Sequence, residues 1–235
     1  MTDSFKYQGN ELLLFQHATN WKNYFSKHIK PLIKGNVLEV GAGIGSSTLL
    51  LNDGTADKWL MVEPDEQMVS ELKNKIDKNK LPGNCQLQTG TIDQITSTFD
   101  TIIYIDVLEH IKDDAEEMNK AATLLNIGGH IIVLTPAFPF LYSPFDKAIG
   151  HHRRYNKKMF QKITPISLHL VSNNYYDSAG FFASLMNKII LRKKYPTQKQ
   201  VLFWDKWMVP VSKITDDLFF HSFGKSIIGI WKKSD

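Results

Sequence analysis

The chain has 235 residues, 43% hydrophobic and 22% charged, with a net charge of +4. That length can bury a full core without staples, and the single cysteine, Cys85, excludes an internal disulfide and suits a reducing compartment. The charge is too mild to imply nucleic acid, no apolar run approaches the roughly 18 residues of a membrane span, and MTDSFKYQGN lacks the apolar core of a signal peptide, so a cytoplasmic location is expected.

Residues 17–33 place Trp21, Tyr24, Phe25, Ile29 and Leu32 at helical spacing and predict a leading amphipathic helix. Five short apolar runs follow, NVLEVGAG, KWLMVEP, CQLQTGTI, FDTIIYIDV and GHIIVLTP, each closed by turn residues. Near-continuous apolar runs of this length suit parallel strands covered on both faces. Helical patterns lie between them. A short helix starts near Ser46. Met68, Leu72 and Ile76 recur every four positions after Pro64 and Asp65. Met118, Ala122 and Leu125 do nearly the same after Asp113 and Asp114, closed by Gly128 and Gly129. The alternation predicts βαβ units and an α/β domain. No linker or repeat divides the chain, so residues 1–235 form one domain with its binding core at 36–137. Residues 138–165 are an aromatic, basic connection containing a short helix from Asn156 to Ile163. Two late strands are expected at 166–176 and 226–233, with a helical insertion at 180–225 between them.

The first strand runs into Gly41, Gly43 and Gly45. A strand-to-helix turn without Cβ atoms lets a ligand approach backbone N–H groups. The dinucleotide fingerprint would need glycine at position 46, which is Ser46, and this disfavours a nicotinamide-dependent oxidoreductase. The second strand ends at Glu63, 18 residues beyond Gly45. An ionised carboxylate there can accept both hydroxyl hydrogens of a ribose, a sugar that NAD also carries.

Taken together, VLEVGAGIGSS, MVEPDEQM, FDTIIYIDVLEHI and GGHIIVLTP resemble the ordered motifs of class I S-adenosylmethionine-dependent methyltransferases. They are most similar to the group that includes the ubiquinone and menaquinone biosynthesis methyltransferases. The resemblance implies a Rossmann-like, doubly wound, seven-stranded and mostly parallel sheet with an antiparallel last strand. It also implies S-adenosyl-L-methionine as cofactor. Glu39 and the turn Gly41, Ala42, Gly43 and Gly45 would hold the methionine moiety, and Glu63 the ribose. Pro64, Met68, Thr91 and Ile92 would flank adenine, and Asp106 and Val107 would border the cofactor. Family members often carry an Asp after the third strand for the adenine amino group; here Thr91 stands near that place and Asp93 lies two residues on.

Beyond the fifth strand, Gly150 to Tyr155 resembles a G-H-x-R-R-Y motif of one bacterial methyltransferase subgroup. Paired arginines, Arg153 and Arg154, suit a carboxylate or phosphate. His151 is the first candidate for a base on an acceptor hydroxyl. His110 is either a base or a pocket wall, and Tyr155 completes the catalytic candidates. No metal is expected, because His151 and His152 are adjacent and no Cys, His and Asp set has ligand spacing. The implied activity is methyl transfer to a small-molecule or lipid-linked acceptor, with O-methylation favoured. A non-catalytic cofactor-binding subunit is the alternative. Residues 180–213 hold seven basic side chains against one acid, Asp205, interleaved with Phe181, Phe182, Leu185, Met186, Ile189, Ile190, Leu202, Phe203, Trp207, Met208 and Val211. That pattern fits a lid, a homodimer contact, or peripheral attachment to an anionic inner-membrane surface.

Overall fold

The computed structural model describes residues 14–191 and 195–234; Arg192, Lys193 and Lys194 of the basic run lie outside the described residues. The strands are β1 (Asn36–Val40), β2 (Lys58–Glu63), β3 (Cys85–Thr89), β4 (Phe99–Ile105), β5 (Leu125–Pro136), β6 (Leu168–Tyr176) and β7 (Ser226–Lys233). They form one sheet in the order β3-β2-β1-β4-β5-β7-β6. β7 runs antiparallel to both β5 and β6, and the pairings from β3 to β5 are parallel. The seven-stranded sheet with a reversed last strand is therefore present as expected.

Alternation along the central strands builds two cores. On one face Leu38, Val40, Ile102, Tyr104, Ile131 and Val133 pack with Met118, Ala121, Phe160 and Trp231. On the other, Val37, Trp59, Met61, Ile103, Ile132 and Leu134 pack with Trp21, Phe25, Ile29, Leu72 and Trp204. A strand buried on both faces has no polar side to spare, which explains its unbroken apolar run.

The covering helices are α1 (Thr19–Ile29), α2 (Ser46–Leu51), α3 (Glu66–Asp77), α4 (Asp114–Leu124), α5 (Pro144–Ala148), α6 (Lys157–Lys162), α7 (Ser178–Met186), α8 (Gln198–Phe203) and α9 (Val209–Leu218). Asp65 caps α3 by accepting from the amides of Gln67 and Met68, and Asn156 caps α6 through Met159 N–H. One boundary departs from expectation. α4 stops at Leu124 rather than at Gly128 and Gly129, because Leu125 already pairs with Phe99 of β4. The ladder then bulges before Thr101 meets His130, and Asn126 Nδ2 donates to Asp100 Oδ1 at 3.0 Å to hold that irregular stretch.

The insertion between β6 and β7 is helical, with π-helical turns at Asn187–Leu191 and Trp204–Met208. Its acids tie it to the leading helix. Asp205 accepts from the amides of Asn20 and Trp21 at 3.1 and 2.9 Å, where the N-terminal end of α1 favours negative charge. Asp216 accepts from the Tyr24 hydroxyl at 2.9 Å. Among the described residues no helix is long and apolar enough to cross a membrane.

Candidate active site

A cavity of about 550 Å³ opens at the carboxyl ends of β1, β2, β4 and β5, where parallel sheets of this kind bind ligands. One half is the glycine turn. Gly41, Gly43 and Gly45 all adopt positive φ, at +68°, +56° and +75°. A Cβ on Gly41 would also lie 2.7 Å from Val107 Cγ2, so both conformation and space require glycine there. Glu63 is 4% exposed, and its carboxylate accepts from Gly43 N–H at 2.8 Å and Asp65 N–H at 2.9 Å. Burial raises its pKa, and those two amides oppose the rise. The turn and the acid are thus locked to each other at the cavity wall.

Of the residues expected at the cofactor, Gly41, Ala42, Gly43, Glu63, Pro64, Met68, Thr91, Asp106 and Val107 line the cavity. Glu39, Gly45 and Ile92 do not. Glu39 is buried, and its Oε2 accepts from Thr48 Oγ1 at 2.6 Å and Trp59 Nε1 at 2.7 Å. Burial pushes its carboxyl up to about 7. Ile92 is a core residue at 2% exposure, and Gly45 supplies the left-handed N-cap of α2. Asp93 lines the cavity and is paired with Lys120 at 2.7 Å. Asp106 sits just past β4 in the left-handed region, at φ +55°, a conformation Asp tolerates better than most residues.

The other half is polar chemistry inside an aromatic wall. Glu109 and His110 follow β4 in a 3-10 turn, and His151 reaches them from the connection after β5. His151 Nδ1 lies 3.0 Å from Asp146 Oδ1, and its Nε2 lies 3.7 Å from Glu109 Oε1. Asp146 is fully buried and holds the group together: Ser143 N–H and Oγ donate to its Oδ2 at 2.8 Å each, and Arg154 Nε donates to its Oδ1 at 2.7 Å. Burial alone would raise the Asp146 carboxyl, but His151 and Arg154 hold it well below the usual carboxylate range. Burial and the neighbouring His151 push His110 down to about 3, and the two imidazoles meet edge to face at 4.6 Å. Burial, with Asp106 nearby, raises Glu109 well above the usual range. Phe15, Trp21, Phe145 and Trp204 close this end, with Lys22 and Lys225 among them. Lys225 Nζ stands 3.7 Å over the Trp204 ring.

The structure divides the five catalytic candidates. His110, His151 and Arg154 line the cavity, whereas Arg153 and Tyr155 do not. Arg153 pairs with Asp114 at 2.6 Å and with the carbonyl of Lys112 at the cavity edge. Tyr155 is fully buried and donates to the same Asp114 at 2.7 Å. Both fix the loop to the start of α4 through Asp114. Spacing along the chain does not reveal every cluster that the fold assembles. Among the described residues, Glu109, His110 and His151 bring their ligand atoms within 4.8 Å of one another, the third arriving from 41 positions downstream.

A family model for a methyltransferase domain matches residues 15–186. The chain belongs to this methyltransferase family. It is an enzyme of the class I, S-adenosylmethionine-dependent kind, not a nicotinamide-dependent oxidoreductase. The sequence matches no curated protein. Among solved structures, a methyltransferase in complex with the Haloferax volcanii Trm112 methyltransferase activator superposes with a TM-score of 0.64 at 11% identity, over 99% of this chain and 100% of its own. A geranyl diphosphate methyltransferase in complex with S-adenosylmethionine gives 0.62 at 8% identity, over 91% of this chain and 84% of its own. An S-adenosylmethionine-dependent methyltransferase from Clostridium acetobutylicum gives 0.59 at 14% identity, over 93% and 92%. These neighbours share the methyltransferase fold.

Proposed function

We propose that this methyltransferase carries the methyl group of S-adenosylmethionine to a hydroxyl of an acceptor held in the same cavity. The observation that carries the reading is the cavity's two-part wall: the glycine turn and Glu63 on one side, the buried Glu109, His110 and His151 on the other. The Gly41–Gly43 turn, stripped of side chains at both glycines, borders the methionine moiety, Glu63 the ribose, and Pro64, Met68 and Thr91 the adenine. Asp106 and Val107 separate cofactor from acceptor. The acceptor oxygen attacks the methyl carbon, the carbon–sulfur bond breaks, and its electron pair returns to sulfur, leaving a neutral thioether. The hydroxyl proton is drawn off at the cluster of Glu109, His110 and His151. Alignment and exclusion of water supply most of the rate, because the sulfonium is already an activated donor.

The acceptor we infer has an apolar body and is lipid-linked. Aromatic rings and two lysines at the acceptor end suit an apolar chain joined to an anionic group. The insertion beside it leaves Phe182, Met186, Ile189, Ile190, Phe203, Trp207, Ile214 and Leu218 each more than half exposed. Lysines interleave with them, so this surface repels a second copy of itself and attracts anionic lipid.

Calorimetry and isotope transfer test the main reading. S-adenosylmethionine should bind, and Glu63→Ala should weaken it by about 1.5–3 kcal/mol, the range for hydrogen bonds to a charged group. Labelled methyl should pass to hydroxyl-bearing lipid extracts. Labelled product carrying N-methyl or C-methyl groups alone would overturn the O-methylation reading.

A further inference from the structure

We propose that Glu109, His110 and His151 form a binding site for a divalent transition-metal ion at the acceptor end of the cavity. Metal–nitrogen and metal–oxygen bonds of about 2.0–2.2 Å put ligand atoms about 3–4 Å apart around one ion. The three ligand atoms already lie within 4.8 Å of one another, so small side-chain rotations complete the set.

Two further observations point to a cation. Glu109 is fully buried, lines the cavity, and neither carboxylate oxygen accepts a hydrogen bond from another residue. Buried carboxylates are kept by protein donors, by a proton or by a cation, because an unpaired one is costly to desolvate. The His151 Nε2 nearest to it is 3.7 Å away, beyond hydrogen-bond reach. His151 is also oriented as ligating imidazoles are. Asp146 accepts at Nδ1, which leaves the Nε2 lone pair facing Glu109, and Asp146 is itself fixed by Ser143 and Arg154. A carboxylate behind the imidazole sets the tautomer and raises the basicity of the ligating nitrogen.

Two imidazole nitrogens and one carboxylate oxygen suit Zn²⁺, Mn²⁺, Fe²⁺ or Co²⁺ better than Mg²⁺ or Ca²⁺. Three protein ligands leave coordination positions open toward the cavity. The role of the ion rests on the O-methylation reading, although its binding does not. An acceptor with two adjacent oxygens, such as neighbouring hydroxyls, would chelate it, and coordination would lower the hydroxyl's pKa until its proton passes to water. His151 then acts as a ligand rather than as the free base.

The test uses the full chain, stripped with a chelator and then titrated with Co²⁺, Mn²⁺ and Zn²⁺. One equivalent of Co²⁺ should bind with a visible ligand-field spectrum, and Zn²⁺ should raise the melting temperature. Glu109→Gln and His110→Gln should each weaken binding at least 100-fold. Asp146→Asn should weaken it about 10–100-fold, the range for a group behind a metal ligand. His152→Ala, at the exposed neighbouring position, should leave it unchanged. S-adenosylhomocysteine binding within about twofold of wild type certifies that each variant is folded, and it reports on the methyltransferase reading separately. Wild-type protein that binds cofactor but takes up no stoichiometric metal overturns the proposal. So does metal binding that survives both the Glu109 and the His110 substitutions.

Discussion

Glu39 ends one residue short of the glycine turn, yet its carboxyl is spent inside the fold, on Thr48 and Trp59. Burial raises it from 4.5 to about 7, against those two hydrogen bonds. The folded state therefore binds this proton more tightly than the unfolded chain does. Its contribution is fully present below pH 4.5 and is lost as pH rises through about 7. At about 1.4 kcal/mol per pH unit, the loss between pH 5 and 8 is about 2–3 kcal/mol. Glu39→Gln cannot titrate, so its unfolding free energy should lack that component. Urea denaturation of both proteins at pH 5 and pH 8 isolates it as a difference of differences. Any fixed cost of the buried amide and the titration of other groups cancel in that comparison. The variant should also bind S-adenosylmethionine within about twofold of wild type, since Glu39 does not line the cavity. Equal pH dependence in the two proteins would refute the burial argument, and a tenfold loss of cofactor affinity would return Glu39 to direct contact.

The paired arginines should separate cleanly. Arg154→Ala strands Asp146 in the interior and should cost about 3–5 kcal/mol of stability, whereas Arg153→Ala removes a partly exposed pair with Asp114 and should cost about 1 kcal/mol or less, with the acceptor's KM unchanged. Thermal and urea unfolding measure the first contrast, and steady-state kinetics the second. The insertion should bring the protein down with anionic vesicles more than with neutral ones and release it as salt screens the lysines, and Trp207→Ala with Phe203→Ala should weaken that association at least tenfold. No sedimentation with anionic vesicles at low salt would remove the membrane from the account.

What the sequence makes legible follows how local each signal is. The sheet is legible because parallel strands buried on both faces must be largely apolar, and β1, β2, β4 and the second half of β5 are. The cofactor half of the cavity is legible because the glycine turn and Glu63 sit at consecutive strand ends, and the register Val40↔Val62 brings them side by side. Glu39 stands one residue from the loop, yet its carboxylate is engaged by Thr48 and Trp59, two partners that no local spacing announces. The acceptor half is assembled from far apart: Trp21 on α1, Glu109 after β4, Asp146 and His151 after β5, Trp204 in the insertion and Lys225 before β7. No periodicity encodes that meeting. One local signal there was available and passed over. Ser143, Pro144 and Asp146 form a helix start with a reciprocal cap, which is why α5 exists and why Asp146 is held beneath His151.

The insertion sorts its charges in a way that bears on its role. Asp177, Asp205 and Asp216 are all turned inward and buried, where they bind Gly180, the start of α1, Ser178 and Tyr24. Trp204 and Val209 go in with them and close one wall of the cavity or its core. With those three acids withdrawn, the outer surface carries lysines and large apolar side chains, and the one exposed acid of α9, Asp217, is paired with His221. An insertion that only covered the cavity would gain nothing from exposed Trp207 and Phe203, whose burial elsewhere would be favourable by about 1.5–3 kcal/mol each. The same segment thus anchors the leading helix with its acids, walls the acceptor with Trp204, and turns a cationic apolar face outward. The lipid-linked acceptor we propose accounts for all three together, because such a molecule would have to pass from an anionic interface into an aromatic cavity walled by the same segment.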